Sequence, residues 1–238
     1  MRDPYLYDDV DVLKNLANIK DQDFLSRAEA DITNLSMLAV YNQSYTVFDT
    51  KTLQDIHASV FGQIYDWAGE FRTVQIIKYE DVLAGDSVRY TIPKQIKKEL
   101  DVVMKEVKTL KRTGSNDNEI VFRLVRIIAR IWQIHPFREG NTRICIIFAV
   151  LLAKHLGLKV NHETFKTYAA YVRNALVWAS QGIYSKHEYL ERIFIDAILG
   201  ENPNDENVSI DSCKKYESIR GYNVKDYVER QHEYVKDK

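Results

Sequence analysis

Cysteine is scarce in this chain, and what is missing narrows the reading before any motif is considered. Only Cys145 and Cys213 occur in 238 residues. They lie far apart without metal-ligand spacing, and Cys145 falls in an apolar helical run, so both read as buried or incidental thiols rather than a zinc site or disulfide framework. Net charge is equally sparse: 33 basic against 34 acidic residues leave −1, which gives no general attraction to nucleic acid or to an acidic membrane surface. No apolar run reaches membrane-spanning length, and no charged-then-apolar leader opens the chain. A cytoplasmic protein is the expectation, with a secreted effector left open. Of the six histidines, His57, His155, His162, His187 and His232 form no H-x-x-x-H or similar cluster and read as structural or surface residues. With four prolines, 45% hydrophobic residues and no internal repeat, the chain suits one sizeable core over 1–200 followed by a polar tail over 201–238.

One stretch concentrates chemistry: His135-Pro136-Phe137-Arg138-Glu139-Gly140-Asn141-Thr142-Arg143. It joins two apolar helical runs. Gly140 lets backbone N–H groups approach a ligand, and a helix starting near Asn141 points its unpaired N–H groups and positive dipole end at an anion. Arg143 adds a planar donor fork suited to phosphate oxygens. Glu139 would repel bare phosphate, so its presence makes sense with a divalent cation between them, Mg²⁺ being usual for phosphate substrates. The imidazole of His135, if neutral, can take a proton from an attacking hydroxyl. Each residue alone has a bland reading, such as a helix ended before proline or a solvated Arg138–Glu139 pair. Their order at a loop-to-helix junction favours a phosphate site.

Apolar residues at Ile96, Leu100, Val103, Val107 and Leu110, and again at Ile120, Leu124, Ile127 and Ile131, mark two helix faces separated by a polar turn at 114–117. The segment Ile144–Leu152 is apolar almost all round, as in a helix buried at the centre of a bundle. Further helices are expected at about 8–19, 22–40, 50–65, 163–179 and 184–199. Val74–Tyr79 and Val88–Ile92 read as two strands around Ala84-Gly85-Asp86. Tyr168 and Tyr171 share a helix face and either border a nucleotide base or simply pack. A linker at Glu201–Asn207 and a short helix near 223–235 are expected in the tail.

The loop resembles the signature of the Fic domain family, H-x-F-x-[D/E]-G-N-G-R-x-x-R, and matches it at His135, Phe137, Glu139, Gly140, Asn141 and Arg143. Asp66-Trp67-Ala68-Gly69-Glu70-Phe71-Arg72 resembles the family's lead into its β-hairpin flap, and residues 5–15 resemble the N-terminus of many bacterial members. The resemblance implies a mainly α Fic-fold helical bundle with one β-hairpin flap at 73–92. It implies a protein adenylyltransferase that moves AMP from ATP to a Ser, Thr or Tyr hydroxyl of a target protein and releases pyrophosphate. His135 would be the base and Glu139 the Mg²⁺ ligand; Gly140, Asn141, Thr142 and Arg143 would hold phosphate. Phe137 would lie in the core beneath the loop, and Ile76, Ile77, Lys78 and Tyr79 would bind the target by strand addition. Alternative readings are a transferase using another nucleotide or phosphate donor, or a catalytically weak Fic-fold binding protein. Two positions depart from the pattern: Thr142 replaces the second glycine, its hydroxyl available to cap the helix, and Ile146 replaces the second arginine. In the family that arginine pairs with an inhibitory glutamate, and neither Ala197–Asn202 nor Ser218–Asn223 completes the inhibitory motif. Restraint by the tail or by a separate antitoxin-like partner is therefore expected instead of the usual pair.

Overall fold

Asp21 and Asp49 start the first two helices by accepting hydrogen bonds from the N–H groups of Phe24 and Thr52, at 2.7 and 2.8 Å, which satisfies donors that the first helical turn leaves open. In this computed structural model, residues 2–112 and 116–200 are described. They form eight α-helices and one short hairpin: α1 Gln22–Tyr41, α2 Thr50–Phe61, β1 Tyr79–Glu80, β2 Asp86–Ser87, α3 Ile96–Thr109, α4 Asp117–Ile134, α5 Asn141–His155, α6 Glu163–Thr167, α7 Ala169–Ala179 and α8 Glu188–Leu199.

The bundle is built around α5. Residues 144 to 153 are all buried, and the helix packs against α1, α2 and α4, while α4 also packs against α3, α7 and α8. A helix surrounded on all sides needs no polar face, which explains the unbroken apolar run. Among the described residues no helix is long and apolar enough to cross a membrane.

Four expectations need correction. The segment 8–19 is not helical: it is a series of turns with one antiparallel bridge, Leu6 to Leu13. Local side chains compete with helical bonding there. Asn15 donates to the carbonyls of Leu13 and Ile19 and accepts from the Ile19 N–H, while Asn18 takes a left-handed φ of 54°. The helix expected over 163–179 is broken at Tyr168, which leaves the α region, and the last helix starts at Glu188 rather than 184.

The hairpin is the fourth. Only Tyr79↔Ser87 and Glu80↔Asp86 pair. The chain turns through a 3-10 turn at Asp81–Leu83, with Ala84 and Gly85 both at positive φ. Before and after those pairs, side chains replace the ladder: Arg72 donates to the carbonyls of Val74 and Thr91, and Gln75 to that of Tyr90. The expected turn at 114–117 lies partly, and the linker, the 223–235 helix, Ser218–Asn223 and Cys213 lie entirely, outside the described residues.

Candidate functional site

The last residue before the loop is held in an unusual backbone state. His135 ends α4 in the left-handed region, φ 52°, a conformation that strains a non-glycine residue by roughly 1–2 kcal/mol. Arg72 offsets this. It is buried, and its guanidinium donates to the carbonyls of His135 (2.8 Å) and Ile134 as well as to Val74 and Thr91 of the flap. Its own N–H donates to the Pro136 carbonyl at 2.9 Å. The α4 C-terminus, where helical carbonyls lack partners, is thus capped by a cation that also grips both arms of the flap.

The His135 ring is sealed in. Nδ1 donates to the Trp132 carbonyl at 3.1 Å, and the ring packs on Tyr90 with centroids 4.1 Å apart. Nε2 is buried and has no hydrogen-bond partner. Burial is the main force pushing the imidazole well below its ordinary pKa, with the positive charge of Lys78 adding to it. The ring is consequently neutral, with its lone pair on the Nε2 atom that no other group uses.

Glu139 behaves oppositely. Burial alone would raise its pKa, but Lys78, 3.2 Å from Oε2, and the Gly140 N–H, 3.0 Å from Oε1, prevail and hold it down to about 2. It is therefore an ionised carboxylate close to a neutral base. Gly140 follows at φ 81° as the N-cap of α5, and no side chain caps that helix. A Cβ at Gly140 would lie 2.3 Å from the Phe61 ring, so only glycine fits.

The side chains expected to hold phosphate are already engaged. Asn141 accepts from the Phe137 N–H and donates to the Phe137 carbonyl, at 2.9 and 2.8 Å. Thr142 is not a helix cap: its hydroxyl accepts from the Trp132 indole N–H at 2.9 Å. The two terminal nitrogens of Arg143 donate to Glu29 and Thr33 of α1, and the guanidinium lies over the Phe61 ring. What the loop leaves open is the uncapped first turn of α5, where backbone N–H groups lack helical acceptors.

The remaining expectations separate in the same way. Phe137 is fully buried beneath the loop, stacked on His57 with centroids 3.9 Å apart. Tyr171 is core, its hydroxyl donating to the Tyr189 carbonyl. In the flap, side chains alternate. Ile76 is 7% exposed and Lys78 turns to Glu139, whereas Ile77 and Tyr79 are 65% and 77% exposed. Arg138 pairs with Asp3 at 2.8 Å rather than with Glu139. Ile146 is buried and lines a cavity of about 240 Å³ with Met37, Leu38, Phe165 and Val172. A glutamate–arginine pair is present after all, Glu29 with Arg143, but it engages the first signature arginine and leaves position 146 apolar. In the sequence Arg72 is noted only within the lead into the flap and His57 reads as a structural or surface residue, and neither reading gives the contacts described above. Both stand in ordinary helical or loop surroundings in the sequence, and only their long-range partners reveal them.

A helical bundle that places a neutral imidazole, an ionised carboxylate and an uncapped helix N-terminus under a hairpin has the architecture expected of the Fic type. The profile of the Fic/DOC family matches residues 47–153. Escherichia coli K12 has a probable protein adenylyltransferase Fic that is 31% identical over 163 residues, covering 68% of this chain and 78% of that protein. The Bartonella schoenbuchensis protein adenylyltransferase VbhT is 30% identical over 162 residues, and the match spans 68% of this chain but only 33% of VbhT. The solved structure of BepC from Bartonella tribocorum with bound AMPPNP superposes with a TM-score of 0.69 at 25% identity, covering 81% of this chain and 95% of that one. The chain belongs to the Fic/DOC family.

Proposed function

We propose that this protein is an adenylyltransferase that moves AMP from ATP to a hydroxyl side chain of a target protein. The observation that carries the reading is the buried, unpartnered Nε2 of a neutral His135 beside the open first turn of α5. The target hydroxyl oxygen would attack the α-phosphorus while its proton passes to Nε2, once the groups that bury that atom have moved aside. The bond from the α-phosphorus to the bridging oxygen breaks, and pyrophosphate leaves. Negative charge developing on the transferred group falls in front of main-chain donors fixed in advance, and fixed donors act with little reorganisation. The relatives named as protein adenylyltransferases and the AMPPNP-bound BepC structure support the choice of donor.

Among the described residues no group of three or more His, Cys, Asp or Glu could form a metal cage. One ionised carboxylate, Glu139, fits a magnesium ion held mainly by substrate phosphates, the usual arrangement for that ion. When bound, Mg²⁺ would supply charge neutralisation on the phosphates. Lys78 neutralises Glu139 otherwise, and must yield that oxygen.

The flap would receive an extended segment of the target, with Ile77 and Tyr79 as contacts, since these two side chains point outward. Cytoplasmic residence, and restraint by the tail or by a separate partner, complete this reading. One observation favours a different donor: position 146 carries an apolar isoleucine, so that side chain offers a terminal phosphate no cation, although Arg143 and Lys166 line the same cavity. Incubation with α-labelled ATP, GTP, CTP and UTP in turn, with Mg²⁺ and a lysate as acceptor source, tests both. Labelling by ATP alone supports adenylylation, whereas labelling only by another nucleotide supports the second reading.

A further inference from the structure

His57 in α2 has no place in the chemistry described so far, yet it is completely buried and touches the loop directly. Its ring lies between Phe61 and Phe137, with centroid distances of 4.8 and 3.9 Å. The Gly69 N–H, in the segment leading to the flap, donates to Nδ1 at 2.8 Å. An Nδ1 that accepts carries no proton, so the neutral ring must carry it on Nε2. Nε2 lies 3.2 Å from the Glu139 carbonyl oxygen and therefore donates to it. The tautomer is fixed at one end by the flap's lead-in and spent at the other on a single peptide group.

That peptide group joins Glu139 to Gly140. Its orientation sets where the Glu139 carboxylate leaves the chain and where the first N–H groups of α5 point. Gly140 has no room for a side chain on the Phe61 side, where an added Cβ would lie 2.3 Å from the ring. We propose that His57 is a positioning residue for the phosphate loop, its Nε2–H holding the Glu139 carbonyl so that the carboxylate and the main-chain donors face a bound phosphate together. The inference rests on the phosphate-site reading of the loop, but its first readout does not depend on which reaction the protein performs.

Three variants of the full chain separate positioning from simple packing. His57→Gln places an amide N–H near the Nε2 position, His57→Asn places an amide oxygen near the Nδ1 position, and His57→Phe keeps the aromatic stack without either bond. Gln and Asn each keep one hydrogen bond and give up one, so a purely structural role predicts that they behave alike. Positioning predicts that the Gly140 amide resonance stays in place in His57→Gln and moves in His57→Asn. It also predicts that affinity for ATP with Mg²⁺, measured by calorimetry, is nearly retained in His57→Gln and falls by roughly 10–100-fold in His57→Asn and His57→Phe, as losses of outer hydrogen-bond partners do. Equal behaviour of the Gln and Asn variants in both readouts, or wild-type affinity in His57→Phe, overturns the proposal. Should His57→Phe fail to fold, the Gln and Asn pair still decides. Transfer from α-labelled ATP is followed in parallel. Its absence in the wild type counts against adenylylation, while the amide resonance still decides the role of His57.

Discussion

The loop at 135–143 and the flap at 73–92 lie side by side and are held by different means. In the loop, nearly every side chain is bonded inward: Asn141 to Phe137, Thr142 to Trp132, Arg143 to Glu29 and Thr33, and Arg138 to Asp3. The flap has two ladder pairs, a left-handed Ala84, and three large exposed apolar side chains, Ile77, Tyr79 and Ile92. A loop whose side chains stabilise its own shape leaves the main chain to meet the ligand. A flap with few bonds of its own can be completed by another strand. The difference shows how one short region can hold fixed chemistry beside an adaptable recognition edge.

Removing the base probes the fixed side most severely. His135→Asn, whose short amide tolerates the left-handed backbone, should lower transfer by roughly 10²–10⁴-fold while nucleotide affinity measured by calorimetry stays near wild type. Retained transfer would mean that the base is elsewhere. Arg72→Met should destabilise the fold by about 3 kcal/mol in denaturant unfolding, because it strands several buried carbonyls at once. A loss below about 1 kcal/mol would show that water can replace the guanidinium. On the flap, Ile77→Glu together with Tyr79→Glu should raise KM for the protein target by roughly tenfold and leave the nucleotide KM unchanged. Ile76→Asp should instead lower stability, since that side chain faces the core; a pure KM effect at 76 would reverse the inside–outside assignment.

Acid should act on the fixed side first. Burial holds His57 down to about 4 against an ordinary 6.5, so in the folded state it binds fewer protons than in the unfolded state between those values. Its contribution to stability is complete above pH 6.5 and is lost as pH falls through about 4. Glu139, depressed from 4.5 to about 2, adds a second loss below pH 4.5. Thermal unfolding followed from pH 7 to pH 4 should show a falling midpoint, while a flat profile would contradict the buried neutral imidazole. The smallest effect is expected at the flap tip, where Ala84→Gly relieves a left-handed alanine and should stabilise by roughly 1 kcal/mol.

Much of the fixed side was legible in the sequence. Gly140 and the apolar run after it announce a buried helix that begins without a side-chain cap, and the order of His135, Glu139 and Arg143 marks the loop. The roles within the loop were less legible. Arg143 and Asn141 look like phosphate ligands until Glu29, Thr33 and Phe137 are found beside them, and nothing in local spacing foretells partners more than a hundred residues away in the case of Glu29. The N-terminal segment misled because apolar spacing was read over Asp and Asn side chains that bond locally. A hairpin was expected between Arg72 and Pro93 and one is present, but its pairs at 79–80 and 86–87 share only Tyr79 with the expected strands, since Arg72 and Gln75 make bonds that strand propensity assigns to the backbone. His57 carried no signal, because a histidine flanked by helix formers reads the same whether it faces water or a peptide carbonyl.

The account turns on an adenylyl group crossing from a nucleotide to a protein hydroxyl in front of His135. Incubating wild type and His135→Asn with Mg²⁺ and a lysate, in parallel with ATP labelled on the α- or the γ-phosphate and with labelling by the lysate alone subtracted, tests this directly. Protein labelling from the α-label alone, abolished in His135→Asn, is the predicted result. Labelling from the γ-phosphate, or α-labelling that persists in His135→Asn, would contradict it.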